Sequence, residues 1–294
     1  MLAGYRPLDL FLLVIVMILW GMNFAAVKIG LLQFPPLLFM ALRFGLVAIL
    51  LVPFVAPPRG YYKEVFAIST TLGLLHFAFM FHGLTVLDAA TAAITIQLQV
   101  PISAALAWIL FKDKLGWRRA GGMAVAFAGV GWIAGEPRLE EQFGALGLVL
   151  LGALMWAVAN AQIKSLGNIN GATLNAWVAL FAVPQLALAS LIVEEGQWQA
   201  ILDADLTGWF TIVYQALGVV VIGYGLWFWL LKRYDLNQVM PITLLVPPIG
   251  VMSGVLFLNE SLTVTFLGGS ALTLIGVAII VIRRPKALAP GSPR

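Results

Sequence analysis

The chain of 294 residues contains no cysteine, only two histidines, and charged side chains at just 10% of positions. Without thiols there is no disulfide framework and no thiolate metal site, and two histidines are too few to build a zinc site by themselves. Soluble domains carry about 25% charged and about 45–50% apolar residues. Here 62% are hydrophobic and the mean hydropathy is +0.99. That scarcity of charge excludes an ordinary soluble domain, and the wealth of large apolar residues excludes intrinsic disorder. The pI of about 9.5 does not indicate a nucleic-acid partner, because the basic residues lie singly and in pairs between apolar runs. No Gly-x-x-x-x-Gly-Lys phosphate loop occurs, and no loop is long enough for a nucleotide domain, so ATP drive within this chain is excluded. What is present is a series of apolar runs of about 20 residues, each able to cross a hydrocarbon core of about 30 Å. The fold class is an all-α polytopic membrane protein embedded in a lipid bilayer.

Hydropathy bounded by turn and charge signals predicts ten transmembrane helices at 8–29, 36–56, 64–85, 88–111, 118–135, 143–163, 172–193, 207–231, 236–258 and 262–282. The first span has no small-residue cleavage site behind it and reads as a retained helix rather than a signal peptide. Basic residues orient the spans. With a cytoplasmic N-terminus, that side receives Arg6, Arg59, Lys63, Lys112, Lys114, Arg118, Arg119, Lys164, Lys232, Arg233, Arg283, Arg284, Lys286 and Arg294, and the opposite side only Arg138. One missed or invented helix would flip every later loop and destroy this asymmetry, so the count of ten and two cytoplasmic termini support each other.

An internal repeat follows. Residues 88–133, shifted by 147, match 235–280 at eleven of 46 positions, among them Asp88/Asp235, Pro101/Pro248, Gly121/Gly268, Gly122/Gly269 and Gly129/Gly276. Nearer the front, Trp20 and Lys28 correspond to Trp156 and Lys164 at a shift of 136, with an 11-residue length difference between the two registers. The halves are 1–139 and 140–294, five helices each. An odd number of spans turns the second copy upside down, and inverted repeats with Pro-interrupted helices at matching positions point to a secondary transporter with a central site. Pro101 in helix 4 and Pro247-Pro248 in helix 9 each remove a backbone donor and free a carbonyl one turn earlier. Two readings stand: they are bending points for gating around a cavity, or they merely kink membrane helices.

The stretch Leu19-Trp20-Gly21-Met22-Asn23-Phe24 through Lys28, with Pro35-Pro36-Leu37 and Ala41-Leu42-Arg43-Phe44, resembles the opening of EamA-type members of the drug/metabolite transporter superfamily. Asp113-Lys114-Leu115 with Gly121-Gly122, and Glu260-Ser261-Leu262 with Gly268-Gly269, carry the same resemblance near the end of each repeat. Gly223-Tyr224-Gly225-Leu226-Trp227 and Leu244-Leu245-Val246-Pro247 look most like the bacterial amino-acid exporters of the EamA/YddG kind. One departure is Asp113-Lys114, where the family usually has Glu followed by a basic residue. The resemblance implies a central cavity lined by helices 1–4 and 6–9, with helices 5 and 10 to the side, and a place in the bacterial inner membrane. Glycines in helices 5 and 10 suit close backbone packing, either within the bundle of a monomer or between the copies of a homodimer.

Intramembrane polar residues are the binding candidates: Trp20 and Asn23 in helix 1, Arg43 in helix 2, His76 in helix 3, Gln97 in helix 4, Trp156 and Asn160 in helix 6, Tyr214 and Tyr224 in helix 8, and Thr243 in helix 9. Trp20/Asn23 and Trp156/Asn160 are three and four apart, so each pair shares a helix face. Central Trp20 and Trp156 form either an aromatic wall for an amphipathic solute or bulky packing whose indole N–H bonds a neighbouring helix. Gln97 shares a face with Pro101 and is preferred over Gln99. Arg43 meets either a substrate carboxylate or helix-end carbonyls. None of the 13 carboxylates falls mid-span, although proton-coupled and cation-exporting pumps usually hold one there.

A lumen of amides, hydroxyls and rings suits a neutral or zwitterionic small molecule. The expectation is an exporter of amino acids, working by alternating access and downhill facilitated diffusion. The alternative is an exporter of other neutral or amphipathic metabolites or drugs, with proton coupling through His76. No enzyme activity, cofactor, metal or nucleic-acid partner is expected.

Overall fold

The computed structural model describes residues 6–112, 116–166, 169–231, 233–234 and 239–282, excluding the side chain of Arg138. Ten long helices follow one another: α1 Pro7–Leu31, α2 Pro36–Phe54, α3 Tyr62–Val86, α4 Ala89–Phe111, α5 Trp117–Ala134, α6 Phe143–Ser165, α7 Gly171–Val193, α8 Leu206–Leu231, α9 Met240–Leu258 and α10 Val264–Val281. There is no strand among the described residues. Nine of the ten helices are long and apolar enough to span a membrane. The exception is α5, which opens on Trp117-Arg118-Arg119 and is rich in glycine and alanine. The motif residues Asp113, Lys114 and Leu115, the repeat partner Asp235, the expected start of helix 9 at 236, and the basic residues Lys232, Arg283, Arg284, Lys286 and Arg294 lie outside the described residues.

Helix ends follow local chemistry. Proline stands in the first turn of α1 and α2, where its missing N–H removes no helical bond. Asn170, Asp205 and Thr263 cap α7, α8 and α10 by accepting backbone N–H groups of the first turn. Lys112 and Asn259 end α4 and α9 in the left-handed region, at φ 53° and 55°. These two lie 147 positions apart.

The backbone carries the same period elsewhere. The segment Ser69–His76 of α3 and the segment Tyr214–Tyr224 of α8 are both π-helical. A 3-10 turn at Ile96–Leu98 of α4 matches Met240–Leu245 of α9, each just ahead of the prolines. Pro101 lacks the donor that would reach Gln97, and Pro247 and Pro248 lack those for Thr243 and Leu244, so the tightened turn sits at the freed carbonyls. Gly60 and Gly196, 136 apart, share positive φ values of 84° and 76°. After Gly196 comes a short surface helix, Gln197–Asp203, while after Gly60 α3 begins almost at once. The extra length of the second repeat is this helix.

Packing is doubled in the same way. The pairs α5–α10, α2–α7 and α4–α9 join equivalent helices across the two halves. The pair α1–α9 has its counterpart in α6–α4, and α1–α8 in α6–α3. At α5–α10 the helices touch through glycine. A Cβ on Gly129 would lie 2.5 Å from Thr273 N and 2.6 Å from Gly269 O, and one on Gly276 would lie 2.6 Å from Gly122 O. These glycines make close backbone contact within the bundle. A Cβ on Gly121 would meet nothing within 4 Å, and one on Gly268 would come no closer than 3.9 Å, to the Trp132 ring.

Polar contacts between helices gather at two opposite faces. On the face carrying the chain ends, Tyr234 Oη donates to Asp9 Oδ2 at 2.6 Å, with Arg233 Nη1 3.7 Å from Asp9 Oδ1. On the far face, Glu260 accepts the N–H groups of Ala89 and Ala90 at 2.6 and 2.9 Å. There Glu194 likewise accepts those of Leu37 and Leu38 at 2.6 and 3.1 Å. Each carboxylate sits at the first turn of a helix from the other repeat, where the helix dipole favours an anion by about 0.3–1 kcal/mol. Gln33–Asp205 and Thr263–Glu136 lie on the same face.

Candidate functional site

The centre of the bundle is a belt of rings around one cation. Arg43 of α2 is 4% exposed. Its guanidinium carbon lies 4.8 Å from the Phe77 ring centroid and 5.4 Å from that of Phe44. The His76 ring stands 4.5 Å from Phe77 and 5.0 Å from Trp156, so Trp156 of α6 reaches α3 and, through Phe77, the cation on α2. The Tyr224 ring centroid of α8 is 5.2 Å from that of Trp20, which in turn is 5.3 Å from Trp227. The belt thus consists of two ring groups, Arg43, Phe77, His76 and Trp156 in one and Trp20, Tyr224 and Trp227 in the other, each drawing on both repeats.

The polar tips in this belt are mostly held. Trp20 Nε1 donates to Val219 O at 3.3 Å, and Gly223 is glycine because a Cβ there would lie 2.7 Å from that same Nε1. His76 Nδ1 is 2.8 Å from Gly152 O. Tyr214 lies outside the belt, its hydroxyl donating to Leu19 O at 2.7 Å between α8 and α1. Thr243 donates within its own helix to Met240 O. Asn160 is exposed, and Gln97 sits half-buried in the 3-10 turn of α4. Pro101 and Pro247 are buried, whereas Pro248 is exposed.

Several buried polar atoms have no partner: Asn23 Oδ1, Arg43 Nε, Thr91 Oγ1, Thr95 Oγ1, and both amide atoms of Gln215. Such atoms in an apolar interior cost about 1–3 kcal/mol each; others lie on α6, α7 and α10, at Gln162, Trp177 and Ser270, and each asks for a reason beyond packing. The sequence places Gln215 among the mid-membrane polar residues beside Tyr214 and Tyr224 but gives no reason to select it, and burial with nothing to bond sets it apart.

The two faces differ. On the face with the chain ends, α3, α4 and α6 enclose a cavity of about 470 Å³ whose lining includes Glu64, Ile68, Phe111, Gln162 and Leu166. Gln162 Oε1 is buried there without a partner. On the far face α1, α2 and α8 pack closely against one another. A Cβ on Gly30 would lie 2.7 Å from the Phe39 ring and 2.7 Å from Thr211 Oγ1, and one on Gly208 would lie 2.9 Å from Gln33. A second cavity of about 560 Å³ between α4, α5 and α6 is lined by Ile102, Phe127, Leu148, Leu151 and other apolar residues, a surface suited to lipid contact. Among the described residues no group of three His, Cys, Asp or Glu side chains is placed to hold a metal ion.

A paired five-helix architecture with a ring-lined centre suits a carrier. The EamA-like transporter family matches this chain twice, at residues 8–135 and 143–282. A probable amino-acid metabolite efflux pump of Salmonella typhimurium LT2 is 33% identical, the alignment covering 93% of this chain and 94% of that protein. A protein of Escherichia coli K12 with the same description is 31% identical over 96% of this chain and 98% of its own length. A solved crystal structure superposes with a TM-score of 0.63 over 94% of this chain and 96% of that one, at 19% identity, and so shares the fold. The chain is a multi-pass membrane transporter and belongs to the EamA-like transporter family.

Proposed function

We propose that this transporter exports amino acids, neutral and aromatic ones included, from the cytoplasm across a bacterial inner membrane by alternating access. The observation that carries the reading is the composition of the central belt: rings from both repeats around one buried cation, with no carboxylate of the described residues in it. A zwitterion meets dipoles and a single cation there, while an apolar or aromatic side chain rests on Trp156, Phe77 and Trp20. Relays that couple flux to protons usually hold an intramembrane carboxylate, and the described carboxylates sit at helix ends. Downhill facilitated diffusion is therefore the mechanism of choice. Probable amino-acid metabolite efflux pumps among the relatives support both the substrate class and the direction.

In this reading the face with the chain ends is cytoplasmic, in keeping with the basic residues, and the cavity between α3, α4 and α6 on that side is where solute enters. The halves 1–139 and 140–294 rock against each other, and opening outward parts α8 from α1 and α2. Helices α4 and α9 bend at Pro101 and at Pro247-Pro248. The test is counterflow in liposomes. Purified protein is reconstituted with an internal unlabelled solute, and labelled amino-acid uptake is followed with no ion gradient and then with an imposed pH gradient. Uptake without a gradient, competed by several neutral amino acids, is the expected result. Uptake only under a proton gradient replaces diffusion by coupling through His76, and no uptake of any amino acid overturns the substrate class in favour of other amphipathic metabolites.

A further inference from the structure

Among the described residues Arg43 has no counter-ion. The sequence left its guanidinium to meet either a ligand or helix-end carbonyls, but its hydrogen-bond contact in the structure is Met40 Sδ at 3.8 Å, and its Nε is buried with no acceptor. Two rings flank it. Ring faces attract a cation but leave its N–H donors unspent, and an unpaired charge far from water is among the most costly features a fold can keep.

At the depth of Arg43 the neighbouring helices carry groups complementary to a zwitterion. Gly30 of α1 rests on Phe39 of α2 and Thr211 of α8, so three helices converge at that level. Arg43 lies one turn inward from Phe39, and Gln215 one turn inward from Thr211. Gln215 is fully buried, and both its amide atoms lack partners. Asn23, two turns inward from Gly30 on the same helix, has its Oδ1 buried and unbonded. Counted from the far ends of their helices, Arg43, Asn23 and Gln215 sit about 10, 12 and 14 Å deep at 1.5 Å per residue. At one depth the protein thus holds unsatisfied donors on Arg43 and Gln215, and unsatisfied acceptors on Asn23 and Gln215.

We propose that Arg43, with the Gln215 amide one helix away, is the subsite for the carboxylate of the transported solute, and that Asn23 Oδ1 receives its ammonium. The proposal rests on the reading of this chain as an amino-acid exporter and narrows it: cargo must bear one carboxylate, and the corresponding amides and amines are poor ligands. Binding repays the cost of the buried cation in the loaded state, and the vacant state holds Arg43 between Phe44 and Phe77.

The test is thermal stabilisation of the purified full chain by three probes: phenylalanine, phenylalaninamide, which lacks the carboxylate, and phenylacetate, which lacks the ammonium. Phenylalanine and phenylacetate are expected to stabilise the native protein and phenylalaninamide to do so at least tenfold more weakly by concentration. In Arg43→Gln the acid affinities are expected to fall about 10- to 100-fold, as for loss of a charge-assisted bond, and the preference for acid over amide to vanish. Arg43→Lys keeps the cation and is expected to keep the preference with weaker binding, which serves if the Gln variant does not fold. Equal binding of amide and acid by the native protein overturns the proposal without any variant, and so does a folded Arg43→Gln protein that retains the preference. If phenylacetate binds through Arg43 but phenylalanine neither binds nor is carried, the carboxylate subsite stands and the amino-acid reading falls.

Discussion

Gln33 and Asp205 hold each other twice: Gln33 Nε2 donates to Asp205 Oδ1 at 2.8 Å, and the Asp205 backbone N–H donates to Gln33 Oε1 at 3.0 Å. One residue follows α1 and the other caps α8, so the pair bridges the two repeats on the far face. It lies directly over the contact of Gly30 with Thr211, where outward opening would separate the helices.

A reversible lock is the first prediction. The chain has no cysteine, so a Gln33→Cys, Asp205→Cys double variant offers two thiols and no background. Bridging them with a short bifunctional thiol reagent should bring counterflow to the level of empty liposomes, and reduction of the bridge should restore it. Flux that survives verified cross-linking would show that α1 and α8 need not part.

The same pair should govern exposure of the sealed side. Thr211 is 3% exposed, and Thr211→Cys should react slowly with a water-soluble maleimide. Adding Gln33→Ala or Asp205→Ala removes the bridge and should raise that rate a few-fold, while a thiol placed in the cavity beside Gln162 should become correspondingly less reactive. An unchanged rate at position 211 would locate the seal elsewhere.

Acid should weaken this face through Asp205. Its carboxyl is held below the ordinary aspartate range by the Gln33 amide first, and then by the N–H groups of Gly208 and Thr207. A depressed folded value means the stability is fully present above the ordinary aspartate value of about 3.9 and is lost as pH falls through the lower folded one. Glu260 runs the other way. Burial pushes its carboxyl up, against the lowering effect of the Ala90 and Ala89 N–H groups, so stability tied to its proton disappears as pH rises through the raised value. Melting temperature should drop between pH 5 and pH 3 in the native protein and drop less in Asp205→Asn. Parallel curves would remove Asp205 from the account.

The glycine seam should tolerate no side chain. Gly129→Ala places a methyl group against Thr273 N and Gly269 O, backbone atoms that cannot swing aside, and should cost about 1–3 kcal/mol as overpacking. Gly121→Ala, where a Cβ meets nothing within 4 Å, should be neutral or slightly stabilising. Thermal unfolding in detergent separates the two, and equal losses would show that helix flexibility rather than contact sets the effect.

Helix number and extent were legible in the sequence because lipid imposes a length and a composition on each span, whatever its neighbours. The limits read for helix 4, 88–111, and for helix 9, 236–258, end on Phe111 and Leu258 in the structure. The repeat was legible too, and the shift of 147 that aligns Pro101 with Pro248 also aligns the left-handed ends at Lys112 and Asn259. What the sequence could not rank was its polar residues. Tyr214 and Tyr224 lie ten positions apart on one helix, yet the first hydroxyl is spent on Leu19 O and the second ring stacks into the central belt. The π-helical turns between them change the angular relation that a regular helix would give. Neither Glu194 nor Glu260, the latter part of the Glu260-Ser261-Leu262 motif, shows its structural task in the sequence. Their task, holding the first turns of α2 and α4, involves residues 156 and 170 positions away or more.

The sequence by itself determined the bilayer as solvent, the ten spans and the inverted repeat, since hydrophobic length, the positive-inside bias and repeat register are properties of the chain's own order. Only the tertiary structure decided where the cavity beside Gln162 lies, and which polar atoms of Arg43, Gln215 and Asn23 are left buried without a partner. Whether a polar atom is satisfied depends on what other helices bring to it across more than a hundred residues of sequence, and no local pattern contains that information.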